Sequence, residues 1–241
     1  MTKLRLALFA SMALLISSAT ARAAPLVGTF NTAGLGDVRV GPDFIDWGQS
    51  GNTFGSTPGD LLYVSGTGDF SVLQLTTGTI KDLNMVAEPV GTSFLLNNFL
   101  TSVAEPTWNF ALTFIQPGTG TAAGCTTNVG DVCTPFVGSP FTITNLAGGG
   151  SSVALSLSGT ISDGIGPTTA FLGAFTTQFA DLNAAEILAQ IAAQGFVQSS
   201  HSASFVVQAV PTVPEPASLI LLGTGLAGAG VLRRRQKTTQ S

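Results

Sequence analysis

Hydrophobic and polar residues alternate along several stretches of the chain. Within 107–114 every even position, from Trp108 to Phe114, is large and apolar, while the odd positions are small or polar. The same period of two recurs in three further segments: 153–161, 171–179 and 203–209. Side chains of a strand point alternately to its two faces, so this pattern predicts strands with one buried and one wet face, which is typical of antiparallel sheets.

Shorter apolar runs separated by Gly, Pro, Asn and Asp fill the first half of the chain. They lie near Val27–Phe30, Val38–Trp47, Leu61–Val64, Phe70–Leu75, Ile80–Met85 and Phe94–Leu100. With the longer segments they make about ten strands, and no repeat of 20–50 residues is visible. We therefore predict an all-β, antiparallel β-sandwich or jelly roll and exclude a propeller or solenoid.

One short helix is predicted near the end of the body. Asn183 and Glu186 form a capping box, and Leu182 and Ile187 are placed as its hydrophobic staple. Gly195 is the expected left-handed stop, after which Phe196 can fold back on the last turn at Ile191. The predicted apolar stripe consists of Leu188, Ile191 and Ala192. We assign this helix a structural role over an end or edge of the sheets.

The N-terminal residues 1–23 have the pattern of a secretory signal peptide. Lys3 and Arg5 precede an apolar run from Leu6 to Ile16, and small residues then mark a cleavage site between Ala23 and Ala24. An uncleaved anchor is the weaker alternative, because about 11 apolar residues fall well short of the roughly 20 that span a bilayer. The mature protein is expected to begin at Ala24.

The C-terminal tail, residues 213–237, has three parts in a fixed order. The first is a tetrapeptide, Val213, Pro214, Glu215 and Pro216. An uncharged run of 16 residues follows, or 20 counted from Val213, which is enough for a transmembrane helix. A basic stop ends it, formed by Arg233, Arg234, Arg235 and Lys237. By the positive-inside rule the basic end stays in the cytoplasm, so the body is exported.

This order of parts resembles the PEP-CTERM sorting signal of exported bacterial proteins. The resemblance covers only the tail, and it implies a transient membrane anchor that an exosortase, a membrane-embedded cysteine transpeptidase, recognises and cleaves. It further implies delivery to the cell surface or extracellular matrix in a host that makes exopolysaccharide, often with biofilm formation. A plain C-terminal anchor is the alternative, but such an anchor has no need of the Val-Pro-Glu-Pro tetrapeptide.

Between these ends lies a body, residues 24–212, large enough for one β-domain. The whole chain has a net charge of −4, but the body has only Arg39 and Lys81 as basic residues against twelve acidic ones, a net charge of −10. Such a charge repels nucleic acid and anionic lipid, so we expect no nucleic-acid partner.

The two cysteines of the chain, Cys125 and Cys133, bracket a polar loop that contains glycine. In an exported protein this spacing predicts a disulfide, which on the chain-entropy model stabilises the fold by roughly 2.5 kcal/mol. A metal site or a catalytic cysteine needs histidines, and His201 is the only one. No Gly-x-Ser-x-Gly elbow surrounds a serine, so His201 is interpreted as a solvent-facing residue at a strand start.

Three other kinds of chemistry remain as alternatives. Paired carboxylates of a glycosidase need two acids about 5 to 10 Å apart, and the candidates are Asp163, Asp181, Glu88 and Glu105. Calcium is the one candidate cofactor, because acidic turns at Asp60, Asp69 and Asp163 could supply oxygen ligands. Ordinary turn chemistry explains these turns better. Trp108 is predicted to be core, whereas Trp47 beside a loop is a candidate for stacking on a sugar.

The sequence therefore predicts a non-enzymatic surface or matrix protein, with no catalytic, cofactor-binding or metal-binding residues assigned. Its expected partners are an exosortase, the membrane during sorting, and exopolysaccharide. The alternative is a secreted carbohydrate-binding or glycosidase-like protein that uses the tail only for delivery. Facing carboxylates in an open cleft favour the alternative, and a closed, featureless body favours the first hypothesis.

Overall fold

The computed structural model describes residues 24–55 and 57–209. They contain fourteen strands and one α-helix. The strands are β1 Gly28–Gly34, β2 Val38–Val40, β3 Phe44–Trp47, β4 Gly59–Gly66, β5 Thr76–Ile80, β6 Leu83–Asn84, β7 Leu96–Leu100, β8 Asn109–Ile115, β9 Val132–Cys133, β10 Phe141–Asn145, β11 Ser151–Ser162, β12 Thr169–Phe179, β13 Val197–Ser199 and β14 Ser202–Gln208, and the helix is α1, Ala184–Gln194.

Eight strands form a closed antiparallel barrel in the order β1, β4, β5, β7, β8, β11, β12 and β14, with β14 pairing back to β1. The predicted sandwich is therefore wrong, although the antiparallel pairing and the all-β class are confirmed. The two longest strands, β11 and β12, pair along eleven positions. Because each of the eight barrel strands pairs with a neighbour on both edges, the barrel has no free strand edge.

Register shifts and inward-facing glycines allow the sheet to close. Bulges or irregularities interrupt the pairing of β1 with β4, of β7 with β8, and of β8 with β11. Such bulges increase local twist and bend a strand. Gly173 leaves room for the ring of Phe205, since a Cβ there would lie 2.5 Å from Phe205 Cε1. Gly159 similarly faces the ring of Phe171.

Aromatic rings fill the barrel interior. Phe30 stacks on Phe205 with ring centroids 4.5 Å apart and also contacts Tyr63, Phe70 and Phe110. The predicted inward positions of β11, β12 and β14 are confirmed, because Leu155, Phe171, Phe175 and their alternate neighbours are buried. The interior is a packed core.

The alternation predicted for β8 is only partly correct. Trp108, Phe110 and Leu112 are buried as expected. Beyond them the register slips opposite Ser158 and Gly159, so that Ile115 is buried and Phe114 is only half-buried. A one-residue slip exchanges the two faces of a strand, and this slip is invisible in the period of the sequence.

One end of the barrel is closed by a 3-10 turn, Gly68–Leu73, where the sequence predicted a strand. We call it the plug. Phe70 and Leu73 are three residues apart and therefore lie on the same side of a 3-10 turn, and both are fully buried. Gly68 begins the turn with a φ of 59°, a left-handed conformation that glycine adopts without strain.

The opposite end is covered by a second sheet of four short strands in the order β13, β2, β3 and β6, which we call the small sheet. Its five buried residues join the same core as the barrel: Val38, Ile45, Trp47, Leu83 and Val197. Strands β10 and β9 extend the barrel sheet beside β11. The small sheet thus lies over the barrel end that contains Phe175 and His201.

The helix has the predicted caps. Asn183 Oδ1 accepts a hydrogen bond from the Glu186 amide, Glu186 Oε2 accepts one from the Asn183 amide, and Gly195 adopts the left-handed conformation with a φ of 83°. The buried face is formed by Ala184 and Ile187, with Leu188 and Ile191 only half-buried, and Ala192 is exposed. The predicted stripe is therefore displaced, because the helix packs its first turns on β13 and β10.

Candidate functional site

A cleft of about 380 Å³ lies beside β3 and β6. We call it the acidic cleft. It contains three carboxylates, from Asp46 on β3, Asp82 before β6 and Glu88 after it. The remaining lining residues are Phe44, Ile45, Gly55, Leu83, Asn84 and Ala87. Half-buried Phe44 gives the cleft an apolar wall beside its acids.

Asp82 has the most altered electrostatics of the three. Burial raises its pKa to about 6, the negative charge of Asp46 adds to the rise, and the hydrogen bond from the Trp47 amide to its Oδ1, 2.8 Å long, opposes it. A carboxyl group with a pKa near neutrality can carry a proton at pH values where ordinary carboxylates are ionised. Asp82 can therefore both donate and accept a hydrogen bond in mildly acidic solution.

Glu88 and Asp46 are held by backbone amides. Glu88 Oε2 accepts from the amide of Asn84 at 2.9 Å, and the Gly55 amide lies 3.4 Å from Asp46 Oδ1. Asp46 pairs with Arg39 across the β2–β3 ladder. The Arg39 guanidinium lies over the ring of Phe54, at 3.8 Å from its centroid. These contacts fix the rim of the cleft while its carboxylate oxygens keep capacity for a ligand.

The sequence named only Glu88 of these three acids as a candidate. Asp163 lies in the turn between β11 and β12, while Asp181 and Glu105 lie in other connections. Asp46 and Asp82 were missed as a pair because they are 36 positions apart, on a strand and on a connection. Their proximity depends on the pairing of β3 with β6. The signal that sequence offers is weak, because Asp46 lies within one short strand and Asp82 directly precedes another.

His201 is buried, which contradicts its interpretation as a solvent-facing residue. Only 8% of it is exposed, and its ring lies beside Trp47, with centroids 4.7 Å apart, and beside Phe175. Burial lowers its pKa to about 4, and the carboxylate of Asp37 partly offsets this effect. Neither ring nitrogen has a hydrogen-bond partner among the described residues, so the geometry gives His201 no nucleophile to activate.

Trp47 is also buried, with 2% of the residue exposed, so the idea that it stacks on a sugar is wrong. Its ring packs between the small sheet and the barrel, 4.7 Å from the ring of Phe175. A cavity of about 30 Å³ lies beside Trp47 and His201 and is otherwise apolar. That volume matches about one water molecule, so it is too small for a sugar.

The predicted disulfide between Cys125 and Cys133 is present. Its loop is organised around Asn145, whose Nδ2 donates to the carbonyls of Thr126 and Asn128 and whose Oδ1 accepts from the Ala184 amide at the start of α1. Asn145 is buried and every polar atom of its side chain is bonded. The loop is therefore a structural clasp between β10 and α1.

The acidic turns use their carboxylates locally. Asp60 accepts from the Ser50 amide, Asp69 accepts from the Val27 amide, and Asp163 accepts from the amides of Ile165 and Gly166. These bonds hold the pKa of Asp163 below its usual range. Within residues 24–55 and 57–209 no group of three His, Cys, Asp or Glu side chains is placed to hold a metal ion. The turns are thus explained by their own hydrogen bonds.

The sorting tetrapeptide Val213 to Pro216, the basic stop and the signal cleavage site at Ala23 lie outside the described residues. In the part of the chain that the structure describes, no helix is long and apolar enough to cross a membrane. The predicted transmembrane helix falls within residues 213–237 and so lies beyond this finding.

Comparison with known proteins identifies the tail. Residues 212–235 match the family model described as the PEP-CTERM protein-sorting motif. No curated protein and no solved structure matches the chain. The recognised part is therefore the C-terminal tail, which implies export, sorting to the cell surface and processing by an exosortase.

Proposed function

We propose that this exosortase substrate is an adhesive component of the cell surface or extracellular matrix, and that its acidic cleft binds exopolysaccharide. The observation that supports the proposal is the match of residues 212–235 to the sorting motif, since it implies delivery of the body to the cell surface, where on this proposal exopolysaccharide is the ligand. On this proposal the signal peptide exports the chain, the tail anchors it in the membrane, and the exosortase releases it.

The cleft supplies groups that sugars recognise. Carboxylate oxygens accept hydrogen bonds from sugar hydroxyls, and the apolar wall at Phe44 suits the carbon face of a sugar ring. The net charge of −10 on the body and the three acids in the cleft repel uronate or sulfate groups. We therefore expect a neutral or amino-sugar polymer as the ligand.

Sorting is tested by changing Pro214, Glu215 and Pro216 together to alanine in the host. The precursor should still be exported and should then accumulate in the membrane fraction, because the tetrapeptide that the enzyme recognises is gone. A matched control is Pro211→Ala, which removes a nearby proline and leaves the tetrapeptide intact. Release of the triple variant at the wild-type rate would show that the exosortase does not recognise the tetrapeptide as a sorting signal.

Binding is tested with purified mature protein and the host's own exopolysaccharide in a sedimentation assay, with calcium and with chelator. The double variant Asp46→Asn and Asp82→Asn should weaken binding about tenfold or more, since each lost charged hydrogen bond is worth roughly 1.5–3 kcal/mol. The matched control is Glu105→Gln with Asp181→Asn, which removes two charges outside the cleft. Equal loss in both double variants would mean that net charge, and not the cleft, governs binding.

A second candidate is hydrolysis of a glycosidic bond in the same cleft. The observation that favours it is the raised pKa of Asp82 beside Asp46, since glycosidases pair a protonated acid with an ionised carboxylate. On this candidate Asp82 donates the proton to the leaving oxygen. Incubation with the exopolysaccharide should then release reducing ends, and Asp82→Asn should abolish the release. Absence of new reducing ends with intact binding leaves the adhesive role.

A further inference from the structure

The chain leaves the barrel at one defined end. Strand β14 finishes at Gln208, which pairs with Ala170 at the start of β12, and Val207 pairs with Gly28 at the start of β1. The turn that joins β11 to β12 lies at this end, because Ile161 pairs with Thr169. The plug lies there too, since the amide of Asp69 donates to the carbonyl of Val27. We call this the exit end.

The tail begins very close to the exit end. Four residues, 209–212, separate Gln208 from Val213, the first residue of the sorting tetrapeptide. At no more than about 3.6 Å per residue, five steps along the chain span at most roughly 18 Å. The small sheet lies at the other end of a barrel whose longest strand has 12 residues, roughly 30 Å away after allowing for strand tilt.

The exit end presents apolar side chains to its surroundings. Ile165, in the β11–β12 turn, is 83% exposed, and Val27, directly before β1, and Val72, within the plug, are also exposed. The tip is held in place, because Asp163 Oδ1 accepts from the amides of Ile165 at 2.9 Å and Gly166 at 2.7 Å. Ile165 therefore contributes little buried area to the fold, and its side chain is available for contact with an apolar surface.

The charges at the exit end exclude an electrostatic contact with lipid. Asp69 lies in the plug and Asp163 in the β11–β12 turn, and each is bonded to backbone amides; Glu105 lies in the connection that leads to Trp108, which packs on the plug. The two basic residues of the body lie elsewhere, Arg39 on β2 and Lys81 directly after β5. A contact at this end is therefore apolar in character and disfavours anionic lipid.

We propose that the exit end is seated on the outer surface of the membrane lipid while the tail holds the precursor there, with Ile165 entering the interfacial layer and Val27 and Val72 beside it. The proposal rests on the proposed function, because it requires the tail to anchor the chain. Its consequence is that the body is held with the exit end down and the small sheet, with the acidic cleft, directed away from the membrane.

The test uses the full precursor reconstituted into phosphatidylcholine vesicles that contain brominated phosphatidylcholine, which quenches tryptophan fluorescence on contact. Ile165→Trp places the probe at the exit end. Val86→Trp is the matched control, because Val86 is 82% exposed but lies next to β6 in the small sheet. The native tryptophans, Trp47 and Trp108, are buried in the core and give the same background in both variants.

We expect quenching of the added tryptophan at position 165 to be at least about threefold greater than at position 86, and to fall when anionic phosphatidylglycerol replaces part of the phosphatidylcholine. Equal quenching at the two positions would overturn the proposal. Flotation of the vesicles separates this outcome from failure of the proposed function. Precursor that floats with the vesicles without selective quenching is anchored but not seated, whereas precursor that does not float is not anchored by its tail.

Discussion

The two ends of the barrel are closed in different ways. At the exit end the plug inserts Phe70 and Leu73 into the core, and the Phe70 ring meets Trp108 at a steep angle with centroids 5.4 Å apart. At the other end the small sheet covers the barrel and leaves Trp47 Nε1 and both nitrogens of His201 buried without a hydrogen-bond partner among residues 24–55 and 57–209. Among the same residues, the exit end has one comparable atom, the Thr169 hydroxyl.

The two closures therefore bury different groups. The plug buries apolar side chains, whereas the small sheet also buries polar nitrogens. The two plug residues that enter the core, Phe70 and Leu73, are apolar, so their packing does not depend on pH. The small sheet buries an ionisable ring and places Asp82 against the Trp47 amide, so Trp47 lies between two titratable groups. We expect the exit end to be the more stable end and the small-sheet end to respond to pH.

The largest loss of stability is expected when the buried ring of the plug is removed. Phe70→Ala removes a fully buried ring that contacts Phe30, Trp108 and Phe110, and large-to-small changes of this kind cost about 3–5 kcal/mol. Urea unfolding of the purified mature protein measures the loss. Val72→Ala on the same turn is the control, because its exposed side chain should change stability by less than about 0.5 kcal/mol. A loss below 1 kcal/mol for Phe70→Ala would mean that the plug does not close the core.

A smaller and pH-dependent effect is expected at His201. Its folded pKa of about 4 is below the ordinary 6.5, so the unfolded chain binds more protons between these values and stability falls as pH falls from 6.5 to 4. The full loss is about 3 kcal/mol. His201→Leu should remove this dependence. The variant should therefore become more stable relative to the wild type as the pH falls. Parallel stability curves of the two proteins between pH 7 and pH 4.5 would contradict a buried neutral imidazole.

Asp82 should show the opposite sign with a smaller magnitude. Its folded pKa of about 6 is above the ordinary 3.8, so the folded state binds more protons and stability falls as pH rises through this window. Asp82→Asn should stabilise the protein by about 1 kcal/mol at pH 8, a figure reduced for partial exposure to water, and the gain should shrink as the pH falls and vanish below the ordinary pKa of 3.8. The opposing slopes of Asp82 and His201 partly cancel in the wild type, and single variants separate them. Asp181→Asn is the control, because it removes a carboxylate outside the cleft and leaves both Asp82 and His201 in place.

The smallest change in stability is expected at Leu75, just after the plug. Leu75 has a φ of 59° and is 71% exposed, so a leucine occupies a left-handed position without compensating burial. Leu75→Asn should stabilise the protein by about 0.5 kcal/mol, because asparagine tolerates this conformation. Thermal unfolding at neutral pH measures the gain. Leu75→Ala, which keeps the unfavourable backbone, should show no gain, and an equal gain from both variants would assign the effect to lost surface hydrophobicity.

The local features of this protein were determined by its sequence. The period of two identified the inward faces of β11, β12 and β14, because alternation along a strand needs no knowledge of its partners. The caps of α1 and the Cys125–Cys133 bridge were equally local, since their groups lie within a few residues of each other. The sorting motif was readable for the same reason, as it is one continuous stretch.

Only the tertiary structure decided how these elements combine. Closure into a barrel depends on β14 reaching back to β1 and on register shifts that leave no mark in the hydrophobic period. The burial of His201 depends on the small sheet that covers it, and the acidic cleft depends on the pairing of β3 with β6. These contacts join residues far apart in the chain, and their free energy comes from packing that no single segment contains. The sequence therefore identified where the protein is sent, and the fold determined which surfaces it presents on arrival.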